Sequence, residues 1–149
     1  MGSAAPWNAL AQTTEMSGRV VEGRRLGRLI GVPTANIALV GCDAALYGSW
    51  AAVARTGGRS YRAIAHVGVR PSVGGAEPLL EVHLFDYEGN LYGHSIRVRL
   101  LRKVSGEVRL ESLDLLRLKI AADVRDVRRY FDGMNGLDPS AREPAAARS

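Results

Sequence analysis

The sequence has a single cysteine and no long apolar run, and both absences restrict what the protein does. Because Cys42 is the only cysteine, no disulfide can form within the chain, which favours a reducing compartment. No apolar run approaches the roughly 18 to 20 residues that a membrane-spanning helix needs. The first residues also lack the pattern of a secretory signal. These absences predict a cytoplasmic protein that does not enter a membrane.

Aromatic side chains are scarce, at 6% of the chain, whereas the net charge is +5 and the pI is near 9.9. Clustered lysines and arginines bind phosphate polymers. Here arginine dominates over lysine and acidic residues are interspersed among the basic ones. We therefore do not expect a dedicated nucleic-acid-binding module, because a bound nucleotide needs the same basic side chains.

The length of 149 residues suits one folded domain. We assign this domain to residues 16–131, with mobile tails at 1–15 and 132–149, because both ends lack a sustained hydrophobic period. With one cysteine and three histidines, a zinc site is not expected. The phosphate-loop sequence G-x-x-x-x-G-K-[ST] is also absent. We expect a monomer.

The centre of the chain reads as β-strands separated by glycine-rich turns. Alternating or continuous apolar residues predict strands at Tyr47–Ala54, Tyr61–Val67, Leu80–Asp86 and His94–Leu100. Many short strands with such turns favour a closed or nearly closed antiparallel barrel, which removes exposed sheet edges.

The end of the domain has a helical period instead. Apolar residues recur at steps of three or four after Ser112, which is a suitable N-cap, and Gly133 follows the last of them. The spacing predicts one long helix that packs on the barrel through Leu113, Leu116, Ile120, Val124, Val127 and Phe131.

The most informative stretch follows a basic, glycine-rich segment. Thr34 and Asn36 come after Pro33 and stand two residues apart, so in an extended backbone both side chains face one side and can offer oxygens to a hard cation. The preceding glycines and arginines suit phosphate. On the residues alone, an ordinary turn is the favoured interpretation of the same stretch, because Thr and Asn bond their own backbone and Pro pre-sets a turn.

Several motifs together resemble the riboflavin kinase family. Gly18–Gly23 and Gly31–Ile37 are similar to its opening signature, G-x-V-x-x-G…G-x-P-T-A-N. Further on, His66–Ser72 resembles N-I-G-x-R-P-T, with His for Asn and Ser for Thr. Leu80–His83 matches L-E-V-H, and Phe85–Gly93 matches F-D…L-Y-G. The resemblance extends over about residues 17 to 131.

The resemblance implies a six-stranded antiparallel barrel with a long C-terminal helix, and an enzyme that transfers the terminal phosphoryl group of ATP to riboflavin to give FMN. It implies that Thr34 and Asn36 bind Mg²⁺, that Glu81 is the general base, and that Arg70 and His83 contact substrate. The nucleotide-binding residues that it implies are Gly23, Arg24, Gly27, Arg28, Gly31, Pro33 and Thr34.

Without the resemblance, two of these assignments stay open. Arg70 lies in a glycine-rich stretch that reads either as a lid over phosphates or as a long hairpin loop with a solvated arginine. Glu81 is either a base, with His83 on the same face, or a surface glutamate on the outer side of a strand.

Two departures from the family pattern concern the acceptor. Ala45–Tyr47 stands where the family has Gly-[VI]-Tyr, and Ser105 and Leu110 stand where it has the Arg and Phe of R-x-E-x-x-F. A non-catalytic flavin- or nucleotide-binding module and a kinase for another polyol-bearing alcohol therefore remain alternatives, as does a basic nucleic-acid-binding barrel. The chain has no room for the adenylyltransferase domain that often precedes this kinase, so we expect the reaction to stop at the mononucleotide.

Overall fold

A computed structural model describes residues 14–21, 33–72 and 75–134. Its six strands form one sheet with the order β1-β6-β3-β4-β5-β2, and all neighbouring strands are antiparallel. The elements are β1 (Glu15–Arg19), β2 (Ala35–Ala38), β3 (Gly48–Thr56), β4 (Arg59–Ser72), β5 (Gly75–Leu84), β6 (Ser95–Ser105) and a helix, α1 (Leu113–Asp132).

The sheet curls until its two outer strands meet. The backbone N–H of Val21, just after β1, donates to the carbonyl of Asn36 in β2 over 2.7 Å, which links the first and last strands of the sheet order. The predicted six-stranded, nearly closed antiparallel barrel is therefore confirmed.

Alternate residues of the strands fill the barrel. Ala52 and Ala65 on neighbouring strands are fully buried, as is Leu80. Small side chains on β3 and β4 leave room for the larger ones of β5 and β6, so that side chains fill the interior of a small barrel. Residues between these interior positions face the outside of the barrel, which is where the polar groups described below are found.

The C-terminal helix begins and ends as its sequence predicts. The Ser112 hydroxyl accepts a hydrogen bond from the backbone N–H of Leu115 over 3.0 Å, and Gly133 follows the last helical residue. Val127 and Phe131 pack on the outer face of the sheet. The prediction is wrong for Leu113, which is 48% exposed, because the buried residues of α1 all lie in its C-terminal half. Within the described ranges, no helix is long and apolar enough to span a membrane.

Arginines cover aromatic rings where α1 meets the sheet. The Arg128 guanidinium lies 4.1 Å from the centre of the Phe85 ring, and that of Arg62 lies 5.4 Å from the centre of the Phe131 ring. Such cation–π contacts stabilise packing while the charge stays accessible to water. Part of the chain's positive charge is therefore used in the fold itself.

The strands differ from the predicted ones mainly in length. Residues 68–72, which follow the predicted strand and were expected to form a loop, continue β4, because they pair residue by residue with β5 until Ser72 lies opposite Gly75. At its other end β5 stops at Leu84, two residues before the predicted end of the strand, and Asp86 adopts a positive φ of 60° in the turn that follows. Most of the two predicted tails, residues 1–13 and 135–149, lies outside the described residues, so the tails stay a prediction.

One glycine at the start of β3 is irreplaceable on steric grounds. Gly48 has a φ of 137°, and a Cβ there would overlap the backbone oxygen of Ser105 and lie 2.6 Å from Lys103 Cε. Gly48→Ala is expected to lower the free energy of unfolding by about 2–4 kcal/mol, measured by urea denaturation. A Cβ on Gly41 would meet no atom within 4 Å, so Gly41→Ala is the matched control. Equal losses in both variants would contradict the steric argument.

Candidate active site

A cavity of about 360 Å³ lies between β2, β5 and the connection that follows β5. Four residues from the predicted site line it, namely Pro33, Thr34, Asn36 and His83. Its apolar wall comes from interior residues of the strands, such as Val82. A pocket of this size with a few convergent polar groups is the usual form of a small-molecule site.

The connection after β5 contributes five lining residues to the cavity, of which the three with polar side chains are Tyr87, Asn90 and Tyr92. Tyr87 packs edge-to-face on Tyr61 with the ring centres 5.1 Å apart. The Asn90 side-chain oxygen accepts a hydrogen bond from the backbone N–H of Tyr92 over 2.9 Å, and the Tyr92 side chain is 59% exposed. Our site prediction omitted these three residues, although Tyr87 and Tyr92 lie within the segment whose F-D…L-Y-G pattern carried part of the resemblance.

Asn36 carries a buried side-chain oxygen without a hydrogen-bond partner among the residues that the structure describes. The residue is 6% exposed, and no residue in the described ranges donates a hydrogen bond to its buried side-chain Oδ1. A buried polar atom left unsatisfied costs about 1–3 kcal/mol, so an orphan oxygen at a cavity points to a ligand. Thr34 precedes Asn36 by two residues and also lines the cavity. Two neutral oxygens of this kind fit a Mg²⁺ ion, which prefers hard oxygen ligands.

Glu81 lies directly beside Asn36 because of the strand register. The two residues are opposite each other across the β2–β5 pair, so their side chains point to the same face with Cβ atoms about 4.5–5.5 Å apart. Leu80 and Val82 point into the barrel, which places Glu81 on the outside, half-buried. Glu81 does not line the cavity itself. Asn36 therefore stands between the cavity and the carboxylate.

Of the remaining predicted site residues, the structure describes the side chain of His83 but not that of Arg70. The His83 Nδ1–H donates to the carbonyl of Pro33 over 2.7 Å. This hydrogen bond links the residues that precede β2 to β5. Arg70 lies opposite Glu77 in the β4–β5 ladder, and its side chain is outside the described part of the structure. Five of the predicted phosphate-binding residues lie outside the described residues altogether, namely Gly23, Arg24, Gly27, Arg28 and Gly31.

Next to Glu81, the outer face carries a polar network that the sequence did not predict. His66 lies opposite Glu81 across the β4–β5 pair, and its Nδ1 is 3.2 Å from the hydroxyl of Ser49 on β3. That hydroxyl lies 3.0 Å from Oδ2 of Asp123 on α1. The same Asp123 oxygen accepts a 2.6 Å hydrogen bond from Lys119 Nζ. Neighbouring polar residues thus form one row across the outer face, from β2 through β5, β4 and β3 to α1, namely Asn36, Glu81, His66, Ser49 and Asp123.

Burial shifts the pKa values of His66 and Glu107, two neighbouring residues of this region, in opposite directions. It lowers the pKa of His66 below the ordinary 6.5, an effect that Lys119 increases and Asp123 opposes. It raises the pKa of Glu107 above the ordinary 4.5, and Lys119 opposes that rise. Nε2 of His66 and Oε1 of Glu107 lie 3.6 Å apart, so the two groups share one environment.

One sequence signal did mark this network. Asp123 lies three residues after Ile120 and four before Val127, which places a carboxylate on the apolar stripe of the predicted helix. A carboxylate there needs a buried partner. The partner was not predictable, because Ser49 and Asp123 are 74 residues apart in the chain.

Comparison with known proteins agrees with this architecture. The Flavokinase family, described as riboflavin kinase, matches residues 10–131. The chain is 37% identical over 126 residues to a bifunctional riboflavin kinase/FMN adenylyltransferase of Haemophilus influenzae, an alignment that covers 84% of this chain and 41% of that protein. The chain spans about two fifths of the length of the bifunctional relatives it matches.

Two solved structures are similar in fold. The macrolide-efflux protein from Streptococcus pneumoniae superimposes with a TM-score of 0.67 at 27% identity, over 85% of this chain and 46% of that one. Riboflavin kinase from Trypanosoma brucei superimposes with a TM-score of 0.52 at 22% identity, over 79% of each chain, a likeness that concerns the fold alone. Because the family match extends over nearly the whole described barrel and its helix, this chain belongs to the riboflavin kinase family.

Proposed function

We propose that this protein is a riboflavin kinase that transfers the terminal phosphoryl group of ATP to the 5′-hydroxyl of riboflavin and releases FMN. The observation that carries the proposal is the cross-strand pair of Asn36 and Glu81. It sets an orphan neutral oxygen beside a carboxylate at the edge of a cavity. Phosphoryl transfer needs these two groups close together, because charge neutralisation and orientation of the hydroxyl act at the same phosphorus.

The nucleotide occupies the cavity in this proposal. Val21 and Pro33, the described residues on either side of the basic glycine-rich segment, both line the cavity. The glycines and arginines of residues 23–31 are therefore assigned to the phosphates, together with Pro33 and Thr34. Backbone N–H groups of a glycine-rich segment and arginine guanidinium groups are both suited to phosphate oxygens.

Asn36 and Thr34 are the residues that would hold Mg²⁺. Their neutral oxygens leave the full charge of the ion to act on the phosphates, and the bound ion would supply that charge neutralisation. The buried Oδ1 of Asn36, to which no described residue donates, would gain a partner.

Glu81 orients the ribityl hydroxyl and accepts its proton. The hydroxyl oxygen forms a bond to the γ-phosphorus, the bond from that phosphorus to the bridging oxygen of ADP breaks, and the proton passes to the carboxylate and then to water. An in-line displacement puts the attacking and leaving oxygens on opposite sides of the phosphorus. Glu81 on β5 lies between Asn36 on β2 and His66 on β4. With the nucleotide beside Asn36, the alcohol approaches Glu81 from the side of β4. Arg70 and His83 are assigned to substrate contacts.

Location and assembly are parts of the same proposal. A cytoplasmic enzyme fits both the use of ATP and the free thiol of Cys42. We propose a monomer, which size-exclusion chromatography with light scattering tests directly.

A second candidate is a kinase for another alcohol with a polyol arm. It is favoured by Ser105, which stands where the family pattern has an arginine and whose hydroxyl instead accepts a 3.1 Å hydrogen bond from Lys119 Nζ. That position therefore anchors α1 to β6. The substitution at Leu110 favours the same alternative. Both candidates share the donor side of the site and differ only in the acceptor.

The first test is a fluorescence titration of riboflavin with and without magnesium-ADP, followed by turnover assays with ATP and with CTP. Riboflavin binding with FMN formation is the expected result, and the faster donor identifies the nucleotide. Binding without turnover would contradict the enzyme and support a regulatory flavin-binding module. If riboflavin does not bind while ATP does, other polyols should be assayed as acceptors.

A further inference from the structure

The network around His66 determines which of its ring nitrogens carries a proton. The Ser49 hydroxyl has one proton and two neighbours that accept it, Asp123 Oδ2 at 3.0 Å and His66 Nδ1 at 3.2 Å. A carboxylate accepts more strongly than a neutral nitrogen, and it is also the nearer of the two. The hydroxyl therefore donates to Asp123 and accepts from His66, so neutral His66 is protonated on Nδ1 and carries a lone pair on Nε2.

That lone pair faces a carboxylate. Nε2 of His66 lies 3.6 Å from Oε1 of Glu107, in the connection Gly106–Glu111 between β6 and α1. The contact is possible because residue 68 is a glycine, where a Cβ would come within 2.7 Å of Glu107 Oε1 and 3.0 Å of His66 Nε2. With no proton between them, a nitrogen lone pair and a carboxylate repel each other. One proton converts the repulsion into a charge-assisted hydrogen bond.

We infer that His66 and Glu107 hold a single proton between them, and that this proton keeps the connection Gly106–Glu111 docked on β4 beside Glu81, where it positions the alcohol that is phosphorylated. The two are positioning residues, because neither is assigned to the phosphoryl group or the metal. The location on the acceptor side rests on the proposed function, whereas the shared proton rests on the geometry alone.

The charged and titratable groups that face His66 are consistent with a shared proton. Glu81 lies opposite on β5, Glu107 follows β6, and Lys119 and Asp123 face His66 from α1. Burial lowers the pKa of His66 and raises that of Glu107. The proton affinities of the two groups thus move towards each other, which favours sharing one proton over leaving it on either group alone.

The sign of the pH dependence follows from the proton count. As the pH rises through the pKa of His66, the pair loses its proton, repulsion returns, and the connection is released from β4. Affinity for the alcohol should therefore fall on the alkaline side. We expect the KM for riboflavin to rise about three- to tenfold between about pH 5.5 and about pH 8.5, with little change in kcat at saturation.

Nitrogen NMR of the histidine-labelled protein tests the proton without any substrate. His66→Asn identifies the signals of His66 among those of the three histidines. The expected spectrum at high pH shows Nδ1 protonated, and Glu107→Gln shifts the titration of His66 to lower pH, because the negative charge that favours the imidazolium is gone. Glu111→Gln, an exposed change in the same connection, should leave it unchanged. Protonation on Nε2, or an unchanged titration in Glu107→Gln, would overturn the inference.

Kinetics test the positioning role. The KM for riboflavin should lose its pH dependence in Glu107→Gln and keep it in Glu111→Gln. Gly68→Ala, which displaces the end of the Glu107 side chain, should behave like Glu107→Gln while circular dichroism shows an intact fold. A wild-type KM that does not change with pH would overturn the positioning role. If the NMR result is as expected and riboflavin is not phosphorylated at all, the proposed function fails and the shared proton stands.

Discussion

Glu81→Gln should lower kcat about 10²–10⁴-fold and leave the KM for ATP nearly unchanged. Glutamine has the size of glutamate and still offers an oxygen to the ribityl hydroxyl, but it cannot accept the proton at neutral pH, and general-base catalysis is worth about this factor. Because Glu81 does not line the cavity, nucleotide binding should survive. The measurement is steady-state FMN formation at saturating riboflavin, with circular dichroism to establish that the barrel is folded.

Glu15→Gln is the matched control for this variant. Glu15 is an exposed, strand-borne glutamate of β1, which pairs with β6 rather than with β2 or β5. The same loss of one charge should leave kcat unchanged there. Near-normal turnover in Glu81→Gln would remove the base from the mechanism, and an equal fall in both variants would indicate a general charge effect.

Asn36→Ala should separate activity from stability. It removes the orphan Oδ1 and with it a proposed metal ligand, so turnover should fall about 10²–10³-fold, as when one charge-stabilising contact is lost at a transition state. The free energy of unfolding should not fall by the usual amount for a buried polar residue, because no residue of the described part of the chain donates a hydrogen bond to Oδ1. Thermal unfolding and the Mg²⁺ dependence of ADP binding are the two measurements.

Asn36→Asp is a second variant that tests whether residue 36 binds the metal. Its carboxylate retains an oxygen for the metal, so Mg²⁺-dependent ADP binding should be kept. A buried charge without a metal costs stability, and the midpoint of thermal unfolding should therefore fall in the absence of Mg²⁺ and recover when Mg²⁺ and ADP are added. An Asn36→Ala protein that is strongly destabilised and binds magnesium-ADP normally would show that Asn36 is structural.

Local patterns were sufficient to predict α1 and four of the six strands, β3 to β6. The step of three or four from Ser112 predicts α1 and its caps because helical hydrogen bonds and side-chain contacts join near neighbours in the chain. The alternation in His94–Leu100 predicts β6 for the same reason. The length of β4 could not be predicted in this way, because residues 68–72 pair with β5 beyond the point where the pairing of β4 with β3 ends.

The same distinction between local sequence patterns and tertiary contacts applies to the candidate site. The sequence by itself determined which residues we assign to the proposed site, through a family resemblance that includes Thr34, Asn36 and Glu81. Only the tertiary structure decided that Asn36 lies opposite Glu81 and that Glu81 lies opposite His66. Strand register depends on the burial of whole faces, since a slip of one residue would turn every side chain to the other side. The sequence therefore carries the chemistry of single residues, and the barrel decides which of them become neighbours.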